Sequence, residues 1–237
     1  MPAQMSLGMY KSVWATAVSL ALFLTLVSAS SAATLVLIDQ DTTIDASNSL
    51  PEPPLSSPHL FVELRAGSSG SPTVELKEGG VIGGSVNVGD ESHLIVTGGQ
   101  IESFTRVTDR GMLTLSGGRI APLIRSHAAD DIVGILDIAD EGTLNLRGGD
   151  AFGIIFQHDS SVINIFGYGF DVEGEIPTSN DARTVRVTGF SPNGSPLAIE
   201  IGRRSANAQV FLHTVPEPSC CGLAAIALTG SVAYFRR

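Results

Sequence analysis

DRGMLTLSGG, residues 109 to 118, is the stretch on which the fold turns. It aligns without a gap against DESHLIVTGG (Asp90 to Gly99), DEGTLNLRGG (Asp140 to Gly149) and DSSVINIFGY (Asp159 to Tyr168). The shared template is Asp, any residue, Gly or Ser, any, apolar, any, apolar, any, then Gly, usually doubled. Its first glycines stand at positions 98, 117, 148 and 167, so the unit recurs in steps of 19, 31 and 19. A degraded copy, VELKEGG, sets Gly79 one short step further upstream, with one extra residue before its glycines. The long step reads as one period plus a 12-residue insertion within Pro122 to Gly134.

Each part of the template has a physical reading. Leu94/Val96, Leu113/Leu115, Leu144/Leu146 and Ile163/Ile165 alternate with polar or variable residues, the period of a strand with one buried face. A second short alternation precedes each Asp, as in Val86/Val88 and Leu136/Ile138. The Asp-x-Gly/Ser step suits a turn, since Asp bonds its own downstream backbone and Gly accepts positive φ. The Gly-Gly pair marks a second corner, where a side chain would clash. Strand, corner, strand, corner in one short period predicts an all-β fold: a right-handed parallel β-helix-like solenoid of ~19-residue coils. A sandwich of hairpins is the competing architecture, but the fixed phasing of Asp and Gly-Gly favours stacked coils.

Working outward, the repeats occupy about 73–170. Beyond Tyr168, FDVEGEIPTSN (Phe170 to Asn180) is turn-rich, and RTVRVTGF, LAIEIG and NAQVFLH read as further strands. They predict a C-terminal β cap over 171–214, shielding the last apolar rung. Upstream, the segment from Thr34 reads as early strands broken by a Pro/Ser loop over Leu50 to Pro58. The whole secreted body is thus expected over 34–214.

Charge narrows the function. The 237-residue chain carries a formal charge of -10. Setting aside Lys11, Glu217, Arg236 and Arg237 leaves 11 Lys/Arg against 23 Asp/Glu. Such a body repels nucleic acid and anionic lipid. Its two cysteines, Cys220 and Cys221, both lie in the tail, so the body has no disulfide framework and no thiolate metal site.

The search for chemistry yields little. The histidines are His59, His93, His127, His158 and His213, with no His-Glu-x-x-His among them. His127 and His158 each lie ten residues after the first glycine of a pair and have Asp130, Asp131 and Asp159 nearby, an arrangement to weigh as a small acid–base or metal cluster against solvent-facing polar corners. Asp90, Asp109, Asp140 and Asp159 would stand in a column if the coils are in register. Calcium-binding solenoids are richer in acid, so turn-building is the favoured role. No Gly-x-Ser-x-Gly, phosphate loop or dinucleotide fingerprint occurs, and Arg106, Arg110, Arg119, Arg125 and Arg147 are scattered in phase. The expectation is a protein without catalytic residues, cofactor or metal.

The two ends carry addresses. VWATAVSLALFLTLV (Val13 to Val27) follows a start holding one cation, Lys11, and precedes SASSAA. That order is a signal peptide over 1–33, cut by signal peptidase after Ala32 or Ala33. At the other end, Val215-Pro216-Glu217-Pro218-Ser219 leads into sixteen uncharged residues, Cys220 to Phe235, and then Arg236-Arg237. As a helix that run spans about 24 Å, short of a ~30 Å hydrocarbon core.

The tail, residues 215–237, closely resembles the PEP-CTERM sorting signal of Gram-negative bacteria, which is also catalogued as an ice-binding protein C-terminal domain. Pro-Glu-Pro, the hydrophobic helix and the terminal basic pair are all present. The resemblance implies recognition by an exosortase, transient inner-membrane anchoring, and delivery to the cell surface or an exopolysaccharide matrix. The stretches INIFGYGFDVEGEIP and TVRVTGFSPNGSPLAIEI are more loosely similar to β segments that precede such signals. The cysteine pair lies outside the motif. A polysaccharide-binding or polysaccharide-cleaving β-helix is the alternative function. Ice binding would need a flat Thr-rich face, and the repeats place no Thr at one constant outward position.

Overall fold

A computed structural model describes residues 34–50, 60–121, 136–151, 153–174 and 184–217. The expected signal helix, the insertion and the hydrophobic C-terminal helix lie outside the described residues. Those that are described form strands and turns with no helix, and parallel pairing dominates.

The strands repeat in threes. Taking one regular coil, β6 (Ser85–Val88), β7 (His93–Val96) and β8 (Gln100–Ile101) are followed by β9 (Thr105–Val107), β10 (Met112–Leu115) and β11 (Arg119–Ile120). Each strand pairs in parallel with the one three places on, as in β6 with β9, β7 with β10 and β8 with β11. The next coil is β12 (Leu136–Ile138), β13 (Thr143–Leu146) and β14 (Asp150–Ala151), followed by β15 (Ile154–Gln157) and β16 (Val162–Glu173). The pattern is compatible with a β-solenoid, whose neighbouring coils lie about 4.8 Å apart.

Register follows the sequence period. Leu94 pairs with Leu113, Leu113 with Leu144 and Leu144 with Ile163. The longer offset between β10 and β13 leaves the strand register intact, so the insertion falls between β11 and β12. The extra residue of VELKEGG is also visible. Leu76 pairs with Val96, twenty positions on, while Val81 pairs with Gln100, nineteen on.

The inward residues form continuous columns. Val74, Leu94, Leu113, Leu144 and Ile163 stack along one sheet, and Ile82, Ile101 and Ile120 along another, every one of them fully buried. Burial of such side chains contributes about 1.5–3 kcal/mol each, and it replaces the disulfides the body lacks. Gln157 ends one column: its Nε2 donates to Ser161 O at 2.9 Å and Gln209 O at 2.8 Å, tying the last regular coil to the strand beyond it.

The stack begins ahead of the recognisable repeats. β1 (Thr34–Ile38) and β2 (Thr42–Ile44) form a first coil beneath β3 (Leu60–Leu64), β4 (Thr73–Leu76) and β5 (Val81–Ile82). At the far end, β16 runs on past the coil and pairs antiparallel with β17 (Thr184–Phe190), which pairs antiparallel with β18 (Pro196–Arg203). β18 then joins β15 in parallel, and β19 (Gln209–Thr214) joins β16. The terminal strands thus close one sheet toward another, with Val185, Val187, Ile199 and Ile201 buried beneath. β18 and β19 therefore act both as cover and as the start of a further coil.

Candidate functional site

The first corner holds the repeated aspartates. Asp90, Asp109, Asp140 and Asp159 all adopt positive φ, between 51° and 56°. The sequence points to the Gly two residues on as the carrier of that conformation; the structure puts it on the Asp. Asp is one of the few residues with a side chain that visits this region readily. Four equivalent turns are closed by N–H donation from Ser92 to Gly89 O, Gly111 to Thr108 O, Gly142 to Ala139 O and Ser161 to His158 O. The position is tight: a Cβ at Gly142 would lie 2.9 Å from both Ala139 O and Val107 O, while Ser92 and Ser161, which do carry a Cβ at the equivalent place, are fully buried there.

These aspartates do stand in a column. Asp90 Oδ2 accepts from Ala66 N at 2.9 Å, Asp140 Oδ2 from Asp109 N at 3.2 Å, and Asp159 Oδ2 from Asp140 N at 3.3 Å. Asp109 Oδ2 lies 3.4 Å from Asp90 N. Each carboxylate reaches back to the preceding coil, so the column is a chain of backbone caps. A shallow groove runs beside it, lined also by Glu91, Glu141 and Arg110. Arg110 pairs with Glu91 at 2.6 Å. Among the described residues, no group of three or more His, Cys, Asp or Glu side chains is arranged to hold a metal ion.

A second polar ladder, unforeseen in the sequence, crosses the outer face of the β7–β10–β13–β16–β19 sheet. His93 Nε2 lies 2.9 Å from Thr114 Oγ1, and Asn145 Nδ2 donates to the same oxygen at 3.4 Å. Asn164 Nδ2 donates to Asn145 Oδ1 at 2.9 Å, and His213 Nε2 lies 3.0 Å from Asn164 Oδ1. Beside it, the Arg147 guanidinium sits 4.2 Å from the Phe166 ring centre, and that ring stacks on His213 at 4.5 Å. Phe211 stands 45% exposed alongside. The signal was present as outward positions of the repeat template, once coil offsets are applied to Thr114, Asn145 and Asn164.

His93 is half-buried, and this burial holds its pKa below the ordinary imidazole range. The unfolded chain therefore takes up the proton first. The stability tied to the neutral ring is full above about pH 6.5 and falls as pH drops through that range toward the folded value. His93→Gln is expected to flatten this part of the profile, read as a smaller loss of Tm between about pH 7 and about pH 5.

The histidine–aspartate cluster differs from the sequence reading. His127, Asp130 and Asp131 lie outside the described residues, as does His59. His158 faces Asp137 instead of Asp159: Nε2 is 3.0 Å from Asp137 Oδ1, in an electrostatic contact outside hydrogen-bond geometry. Arg106 Nε holds the other oxygen of Asp137 at 3.2 Å. These three residues meet because Arg106 and Asp137 are register partners on β9 and β12, across the long step of the repeat. A cleft elsewhere, between the Gly148–Gly149 corner and β18, contains Asp150, Arg186 and Glu200.

The stretch expected to be a sorting motif begins just after β19. Val215 N donates to Gly167 O at 2.8 Å, and Pro216 and Glu217 then stand exposed. Pro218, Ser219, Arg236 and Arg237 lie outside the described residues. Compared with family models, curated proteins and solved structures, the chain matches none.

Proposed function

We propose that this is an exported, non-enzymatic protein of the cell surface or extracellular matrix, sorted by its PEP-CTERM tail through an exosortase and associated with exopolysaccharide. Its body is a right-handed solenoid, the hand that parallel β crossovers almost always take. The observation that carries the reading is the placement of the motif. Among the described residues Val215 makes the last backbone bond to the sheet, and Pro216 and Glu217 are exposed just after β19. Proline cannot extend the ladder, so the strip is left for a processing enzyme. The polysaccharide partner is supported by the Thr114–Asn145–Asn164 ladder, which aligns partly exposed donors and acceptors along the coil axis beside Phe211. Hydroxyl-rich chains are recognised by such arrays of placed polar groups near an apolar surface.

The test is to express the tagged protein in its host with and without exosortase. With the enzyme, mass spectrometry of the exported protein should show loss of the hydrophobic tail, and the body should fractionate with the matrix. Without it, the tail should remain and the matrix share should fall. Exported protein that keeps its complete tail in the presence of exosortase would refute the sorting reading.

A further inference from the structure

We propose that the mature protein pairs with a second copy of itself through the outer edge of β1, forming a closed two-fold dimer. The inference rests on the export reading: cleavage after Ala32 or Ala33 removes the residues ahead of β1, and among the described residues no second strand pairs with it. β1 has β3 as its strand partner and lies at one end of the sheet order. Its sequence, Thr-Leu-Val-Leu-Ile, contains no charge, proline or glycine. Exposed edges of that kind are templates for pairing unless they are blunted.

The hydrogen-bond pattern shows which groups are available. Along the stack, the carbonyl of an inward residue accepts from the next coil, as Val96 O does from Ser116 N and Leu115 O from Arg147 N. In β1 the inward residues are Val36 and Ile38, and Ile38 O accepts from Arg65 N at 3.3 Å. By alternation, the N–H and C=O groups of Leu35 and Leu37 point away from β3. Their side chains face outward and are 61% and 41% exposed.

An antiparallel pairing centred on Val36 satisfies all of these groups. Leu35 lies opposite Leu37 of the partner subunit, and the two-fold repeats that pair, each exchanging both backbone bonds. Val36 meets Val36 of the partner subunit on the inner face, and Thr34 meets Ile38 of the partner subunit. The core columns and the outward leucines thus each continue across the junction, as register matching requires. After cleavage at Ala33 the new α-amino group at Thr34 stands across from Asp39 of the partner subunit, opposite in charge. The other end of the sheet order is β2, three residues long and paired with β4, in the same terminal coil as β1, whereas β18 at the far end of the stack is already paired with β17. The contact uses one patch on both copies, so it closes at two subunits.

To test this, the full chain is exported from a Gram-negative host, its first residue is read by mass spectrometry, and its mass in solution is measured by light scattering at micromolar concentration. The product is expected to start at Ala33 or Thr34 and to run at twice the chain mass. Leu37→Pro removes an edge N–H that the monomer does not use. The double variant Leu35→Lys/Leu37→Lys sets like charges opposite each other at exposed positions. Both are expected to run at the monomer mass with the wild-type circular dichroism, and the double variant decides should Leu37→Pro fail to fold. A correctly processed wild type that is monomeric, or a double variant that stays dimeric, overturns the interface alone. A product that retains residues 1–33 overturns the export reading and the interface with it.

Discussion

Gly118→Val is expected to destabilise the body by at least about 4 kcal/mol, lowering Tm by about 10 °C or more or abolishing recovery of folded protein. Two costs combine. Gly118 has φ +70°, and a Cβ there would lie 2.5 Å from Gly98 O and 2.6 Å from Gly98 C. Left-handed backbone costs an ordinary residue about 1–2 kcal/mol, and more for a β-branched one. The clash adds a further term because its partners are backbone atoms of the neighbouring coil. That coil cannot retreat without breaking the ladder, since Gly99 O accepts from Arg119 N at 3.0 Å and Gly80 O from Gln100 N at 2.9 Å. Gly89→Ala is the control. Its Cβ would stand 3.6 Å from its nearest neighbours, and its backbone is not left-handed, so Tm should stay within about 2 °C. Thermal melts of the two variants beside wild type check the pair. A loss for Gly118→Val as small as that expected of Gly89→Ala would show that the Gly-Gly corner tolerates a side chain and that the repeat has another cause.

The same corner shows what was legible before any coordinates. A Gly-Gly pair once per period reports a close backbone approach, a requirement local enough to be written in the residue type. Alternating leucines report a buried face for the same reason. Pairings between coils are written only through the period, and they fade where the period fails. Asp39 and Asp41 follow β1 out of phase with the repeat, β3 is followed by no Asp or Gly-Gly pair, and their offset, Thr34 against Leu60, matches no other pair of strands. The terminal strands carry strand signals, but nothing in Leu197-Ala198-Ile199 announces that the chain returns to pair with β15 after an antiparallel detour. The Arg106–Asp137–His158 contact was hidden because its members sit in different coils and across an insertion. Applying the long step to Arg106 recovers Asp137, and that move needs the register to be trusted before the charges are compared. The tail was read by resemblance, and the described residues reach only its first three positions.

Replacing Asp90, Asp109, Asp140 and Asp159 together by Asn is expected to leave Tm unchanged or slightly raised, whereas Asp109→Val alone should cost about 2–4 kcal/mol. Asn tolerates left-handed backbone, and its side-chain oxygen can still accept from the preceding coil, as Asp140 Oδ2 does from Asp109 N. What it loses is charge, and four carboxylates stacked one per coil repel one another. Val loses both the conformation and the acceptor: it is β-branched at φ 53°, and it leaves Asp90 N without the carboxylate 3.4 Å away. Melts of both variants, with and without a calcium chelator, separate the two roles open to the column. A turn-building column makes wild type indifferent to the chelator and the Asn variant as stable as wild type. A cation-holding column makes chelation lower the wild-type Tm and makes the Asn variant behave as if already chelated. The second outcome would overturn the structural role. The backbone geometry favours the first, since the carboxylates' Oδ2 atoms turn toward N–H groups one coil back, which uses acceptor capacity that a bound cation would require.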